Sequence, residues 1–594
     1  MRNGCNMLPR RCLDLSTVAT LAVAVGLSTA LLASDFPAPP TKLPIQFGGS
    51  PVLPHIFGHL VGTYRSPRTK AELDALGLSG TLYLQMLAHL DTTTTAIRAT
   101  TTSSVASISS HENRSRFKVS GLTASGPTMI NSDVNEDREP VYTTVHNGNT
   151  HAEVQYAAWI YFDGNPNSTN FHVKASSNGG GGWTAPVALL GPRMNSSDPM
   201  LSANNYVAGF HPQTTYCVTL SYDYNPATGV QGVGGILVWQ NNGSGWSYQE
   251  LPETHDVRVD GLFMDKPSIT VSQDSAAAGS VFVAFQRVQL CPSACGPNPP
   301  PPSIGFALFD DTTPPAGQWK IRTDVPTPSG HVTSSPIVVS DPTSSELLGA
   351  VYVLYLDYSA NQVVVYYSAD KGASWSFFSA FDIGQYGIHL ASSASLDPRI
   401  CSNRSAGDCV FAPSIISARY NWHSSWPDPS AMNGSIGLVL NAWDGTNLAA
   451  AKMHSYFLRW NPMPPCGSAC RGFDQVVSLT DSGLDSWDPA IDFNSSGNYV
   501  VSWYRRTDNA TLQYRTVFSY ILNNGTYDHD IGCTSCRTSD ASRYTNVLFL
   551  GQRYAYYLGE YQDIWYTSYQ GFAGAVTVDI ATSEGDVAFY TVVP

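Results

Sequence analysis

The stretch YYSADKGASWSFF, Tyr366 to Phe378, decides how the chain is read. An aromatic, β-branched run leads into Ser368-x-Asp370-x-Gly372-x-Ser374-Trp375, and more aromatics follow. The same spacing returns in SSNGGGGW, with Ser176, Asn178, Gly180 and Trp183, and partly in WQNNGSGW, with Asn241, Gly243 and Trp246. Asp or Asn at this point accepts hydrogen bonds from the backbone N–H groups just ahead of it. Glycine supplies a positive φ, and tryptophan supplies an apolar anchor. The motif therefore reads as a repeated hairpin turn, and it needs no substrate to explain it.

Around these turns lies a longer repeat. A polar residue or two, a proline and then β-branched residues recur at Pro140, Pro199, Pro267, Pro336, Pro413 and Pro489, roughly 60–77 residues apart. Proline fits the first residue of a strand, where its missing N–H costs little. Gly-led apolar runs such as GAVYVLYLD, GSVFVAFQ and GNYVVSWY follow several of the prolines. The clearest unit, from Pro336 to Phe378, reads as four strands: PIVVS, AVYVLYL, QVVVYYS and WSFF. Four-stranded units of this length predict an all-β fold, a β-propeller of six or seven four-stranded blades. The proline phrases count six, and the C-terminal runs LGEYQDIWY, GAVTVDIAT and DVAFYTVV make seven, the number favoured here. A β-helix would show shorter repeats, and an array of β-sandwiches would show clearer linkers.

Composition agrees. Charged residues make up 13% of the 594, against 49 Gly, 31 Tyr and 13 Trp, which suits short strands and tight turns rather than charged helical bundles. The net charge of −14 gives no bulk attraction for nucleic acid or an anionic membrane surface.

The chain divides into three parts. Residues 1–34 read as a signal peptide, with Arg2, Arg10 and Arg11 ahead of the apolar run STVATLAVAVGLSTALLA. An uncleaved membrane anchor is the alternative, and no later run is apolar enough to span a bilayer. Residues 35–135 form a short, partly helical appendage and a Thr/Ser-rich linker; Thr69 and Glu72 have capping-box spacing ahead of Leu73 and Leu76. Residues 136–594 hold the propeller. Eight cysteines fall into close pairs, Cys291/Cys295, Cys401/Cys409, Cys466/Cys470 and Cys533/Cys536, each suited to a small disulfide loop in an oxidising compartment. Cys217, inside YCVTLSY, reads as a buried free thiol. No His spacing turns these pairs into a zinc site.

The turn motif resembles the Asp box of the sialidase-like, or BNR-repeat, propellers. The unit DREPVYTTV…FDGN…SSNGGGGW looks like the first blade of sialidases, where an Arg-Ile-Pro phrase, an acid-bearing loop and an Asp box follow one another. Glu139 stands where that phrase has Ile, and Asp137 where it usually has an aromatic. The resemblance implies three arginines holding a sugar carboxylate, an Asp acid/base and a Tyr–Glu pair as nucleophile. Carried onto this chain, it makes Arg138 a carboxylate binder, with Arg419, Arg505 and Arg553 as candidates for the others. Asp163 becomes the acid, and Glu560 with Tyr561 the nucleophilic pair. Adjacent residues of a strand face opposite ways, so Glu560 would activate a tyrosine other than Tyr561. Trp422, in NWHSSWPDPS, is a candidate sugar platform.

No nucleophile elbow, zinc-protease motif or phosphate loop is present, and no cofactor or metal is implied. The expectation is a secreted protein, extracellular or periplasmic and monomeric, whose partner is a glycan or glycoprotein, with exo-glycosidase chemistry of the sialidase type. A non-catalytic glycan- or protein-binding propeller and a polysaccharide lyase are the alternatives.

Overall fold

A computed structural model describes most residues between 123 and 593. Residues 1–122, which carry the signal and helix readings, lie outside it, as do internal segments including 163–169, 422–433 and 560–561. Seven four-stranded antiparallel blades make up the fold. Their inner strands are Glu136–Asn147, Asn195–Ala203, Leu262–Val271, Thr333–Ser340, Ile416–Asn421, Ser486–Phe493 and Asp563–Thr567, for blades 1 to 7. The four strands expected around the opening motif are present in blade 4, at Thr333–Ser340, Val351–Asp357, Gln362–Ser368 and Ser376–Asp382.

Blade 7 is completed from the other end of the chain. Its three C-terminal strands, Asp563–Thr567, Phe572–Asp579 and Asp586–Val593, take Thr123–Met129 as their outer strand. Thr123 pairs with Val593 and Met129 with Ala588. The strand that closes the ring thus comes from the segment read above as linker.

Pro140, Pro199, Pro267, Pro336 and Pro489 sit inside the inner strands rather than at their starts, and Pro413 lies just ahead of Ile416–Asn421. Each inner strand of blades 1, 2, 3, 4 and 6 shifts register around its proline, the mark of a β-bulge. The residue before the proline is left-handed: Glu139 (φ 51°), Asp198 (51°), Lys266 (51°), Ser335 (55°) and Asp488 (48°). A bulge leaves one N–H outside the ladder, which is where proline is tolerated in mid-strand.

The apolar core lies between blades. Tyr352 of blade 4 stacks on Tyr420 of blade 5, ring centroids 6.0 Å apart, within one cluster shared by the two blades. The Asp boxes link the blades too, each packing on its predecessor. In blade 4, Ser374 N–H donates to Asp370 Oδ1 (2.8 Å) and Gly372 N–H to Ser368 Oγ (2.6 Å). Trp375 then lies edge-on to Phe306 of blade 3 at 4.9 Å, and its Nε1–H donates to Thr323 Oγ1 of the same blade (2.9 Å). In blade 1, Trp183 meets Phe589 of blade 7 at 5.6 Å in the same way. The hydrogen bonds from Ser368 and Ser374 overcome the desolvation at Asp370 and hold its carboxyl below the usual range.

A small extra sheet joins Arg399–Cys401 and Cys409–Phe411, from the connection between blades 4 and 5, to Asn546–Phe549 and Gln552–Tyr556, from the connection between blades 6 and 7. Disulfides Cys401–Cys409 and Cys533–Cys536 are formed, and Cys217 is a buried free thiol. The other two expected pairs lie outside the described residues. Among the described residues, no helix is long and apolar enough to cross a membrane.

Candidate functional site

Inner strands all run the same way, so connectivity sorts the ring into two ends. Asp boxes join third to fourth strands and lie at the end where inner strands finish. The bulges lie toward the end where inner strands begin.

At the bulge end, five left-handed residues are buried: Glu139, Asp198, Lys266, Ser335 and Asp488. Non-glycine residues rarely hold this conformation, and each instance costs about 1–3 kcal/mol and persists only where the surroundings impose it. Burial and then the charge of Glu139 push the Asp488 carboxyl well above the usual carboxylate range, with Lys266 opposing. Glu139 of blade 1 and Lys266 of blade 3 therefore both act on Asp488 of blade 6. Blade 7 packs onto this layer. A Cβ on Gly559 (φ 106°) would meet Glu139 Cγ at 2.7 Å, and the Gln562 amide donates to the Asp488 carbonyl. Arg138, 1% exposed, immediately precedes the bulge residue Glu139.

A second layer lies farther along the inner strands. Arg419 of blade 5 reaches Asp563 of blade 7, Nη2 to Oδ1 at 3.0 Å, and stands 3.8 Å from Asp492 of blade 6 through Nε. The first contact is a charge-assisted hydrogen bond; the second is ionic only. The guanidinium lies over the Trp565 ring, 5.2 Å from its centroid. Tyr142 N–H of blade 1 donates to Asp563 Oδ2 (3.2 Å), and Tyr566 N–H donates to Asp492. Four adjoining blades thus converge on two carboxylates.

The two carboxylates differ in setting. Burial raises Asp492 to about 7, with Asp563 adding to the rise and Arg419 and the N–H donors of Tyr566 and Phe493 opposing it. Asp563 is also raised by burial, but it holds the direct Arg419 bond. Arg419 remains 20% exposed, and Trp565 and Tyr566 are half-buried, so water reaches the edge of the cluster. The arrangement is a pair of buried carboxyls, only one of them hydrogen-bonded to Arg419, beside aromatic faces, a setting that acid–base catalysis can use.

Of the residues expected from sequence, Arg419 belongs to this cluster. Arg505, on the second strand of blade 6, is bound to Asp530 (2.8 Å), which Arg515 shares (3.1 Å). Arg553 falls in the small extra sheet, on Gln552–Tyr556. Asp163, Trp422, Glu560 and Tyr561 lie outside the described residues. Asp492 and Asp563 were missed. Their signal was present in WDPAIDF and QDIWY, where a carboxylate interrupts an otherwise apolar inner strand. Among the described residues, no group of three or more His, Cys, Asp or Glu is placed to hold a metal.

No family model matches the chain, and no curated protein does either. Among solved structures, it is similar to the intramolecular trans-sialidase from Ruminococcus gnavus, at 10% identity and TM-score 0.37 over 62% of this chain and 89% of that one. It is also similar to the leech intramolecular trans-sialidase, at 12% identity and TM-score 0.39 over 70% of each chain. The Penicillium chrysogenum alpha-L-arabinanase matches at 9% identity and TM-score 0.36, over 79% of this chain and 98% of that one.

Proposed function

We propose that the protein is a secreted, glycan-acting propeller that hydrolyses a neutral sugar linkage, with Asp492 and Asp563 as its acid–base pair. The observation that carries this reading is the sharing of Arg419 by two carboxylates from neighbouring blades, next to Trp565 and Tyr566. Asp492, protonated up to near-neutral pH, gives its proton to the glycosidic oxygen as the bond to the sugar breaks. Asp563, which holds the direct Arg419 bond, takes a proton from the water that attacks the sugar carbon. Trp565 and Tyr566 offer ring faces against which a sugar stacks. Two disulfides and the charged, then apolar N-terminus support export.

Arg419 decides between a neutral and an acidic sugar. Sialidase-type binding needs guanidiniums free to grip a substrate carboxylate. Here Arg419 is already bound by Asp563, and Arg505 by Asp530. An incoming carboxylate would meet compensated charge at both.

The test is release of an aryl leaving group from a panel of neutral-sugar glycosides and from a sialoside. Expected are turnover of a neutral glycoside and a loss of about 10²-fold or more in Asp492→Asn and Asp563→Asn. Sialoside turnover that disappears in Arg138→Ala would establish the sialidase reading instead. Glycan binding without turnover, unchanged in both Asp variants, would make the protein a binding module.

A further inference from the structure

The closing strand Thr123–Met129 has two edges. One pairs with Asp586–Val593. The other is held by a short segment after blade 6 that includes Cys533 and Cys536. Ala124 forms a parallel bridge with Cys533, and Gly126 N–H donates to Ser535 Oγ at 3.1 Å. Arg537 Nη1 lies 3.6 Å from Met129 Sδ. Three successive points of the closing strand are therefore gripped by residues 533–537. Ser535 sits inside the loop that the Cys533–Cys536 disulfide closes, so the cross-link fixes the grip.

We propose that Cys533–Cys536 is a thiol-exchange site for a dithiol reductant, and that its cleavage releases the strand that closes the propeller. Both cysteines are half-buried and Ser535 is exposed, so a reductant reaches the bond. The Cys401–Cys409 bond is better shielded: its cysteines face each other across a strand pair, and Cys409 is 1% exposed. Exchange follows access as well as thiol chemistry. A thiolate of the dithiol attacks one sulfur, the S–S bond breaks, and a mixed disulfide forms. The second thiol of the reductant displaces it. The protein disulfide gains two electrons and two protons as Cys533 and Cys536 thiols, and the reductant leaves as its own disulfide. Ser535 is then free to move away from Gly126, and the blade 7 closure depends on the Asp586–Val593 edge alone.

The experiment titrates the full-length protein with dithiothreitol, reading cysteine alkylation and hydrogen exchange together. Cys533 and Cys536 are expected to label before Cys401 and Cys409. Amides of residues 123–129 should then exchange roughly tenfold faster, while residues 351–357 of blade 4 keep their protection. The Cys533→Ser/Cys536→Ser variant should show the same exchange without reductant. Should that variant not fold, Ser535→Ala, which keeps the disulfide, should loosen residues 123–129 in the oxidised protein. Earlier labelling of Cys401 and Cys409, unchanged exchange at 123–129, or loss of protection in all blades together would overturn the proposal.

Discussion

At Asp492, burial in an inner strand has an energetic consequence that titration reveals. Its carboxyl is raised from an ordinary 3.8 to about 7 in the folded chain. Between those values the folded state binds more proton than the unfolded state, so this residue's contribution to stability falls as pH rises from about 4 to about 7 and is flat beyond. Asp492→Asn does not titrate. Denaturation at pH 5 and pH 8 should show wild type losing stability relative to Asp492→Asn across that window, by a few kcal/mol at most. A constant difference, or one that moves in wild type's favour with pH, would mean that Asp492 is already charged at pH 5. The residue also shows where sequence reading stopped. In WDPAIDF the two Asp residues look alike. One is a bulge residue of the first layer and the other meets Arg419 in the second, and only pairing with blades 5 and 7 separates them.

At the scale of the element, the Asp box is a latch between consecutive blades. Its glycine is required for two separate reasons, and the copies distinguish them. Gly372 (φ 94°) and Gly243 (φ 92°) share a backbone that penalises any side chain. At Gly372, however, a Cβ would lie 1.9 Å from Phe306, whereas at Gly243 nothing lies within 4 Å. Both alanine substitutions should cost about 1 kcal/mol for the left-handed backbone, and Gly372→Ala should cost at least ~2 kcal/mol more through the displaced aromatic. Equal losses in urea denaturation would show that the Phe306 contact contributes nothing to blade docking. Sequence spacing was enough to identify this turn, because its donors and acceptors all fall within seven residues. The proline phrases were less transparent. They marked six of the seven blades, but a mid-strand bulge and a strand start look alike until the partner strand is known. Blade 5 has Pro413 without a left-handed residue before it, and blade 7 has neither, so the phrase is sufficient for a blade but not necessary.

At the scale of the whole molecule, the site exists only because the ring closes. Arg419, Asp492 and Asp563 come from blades 5, 6 and 7, and Tyr142 of blade 1 donates to Asp563 across the seam between the first and last blades. Blade 7 in turn is completed by Thr123–Met129, more than 400 residues away in sequence. Such long-range pairing leaves no local periodicity, which is why the seventh blade was legible from its three C-terminal strands while its fourth strand was not. It is also why arginines chosen one at a time did not identify the cluster: Arg419 and Arg505 have similar strand neighbourhoods in sequence, but one faces the shared carboxylates and the other binds Asp530. The central claim is that the ring brings a proton-bearing Asp492 and an Arg419-bound Asp563 to one sugar linkage. The most direct test is the pH dependence of kcat/KM for the neutral glycoside that the protein turns over. The account predicts a bell whose alkaline limb falls near pH 7 as Asp492 loses its proton, together with loss of turnover in Asp492→Asn. Turnover that stays level through pH 7 and survives Asp492→Asn would contradict it.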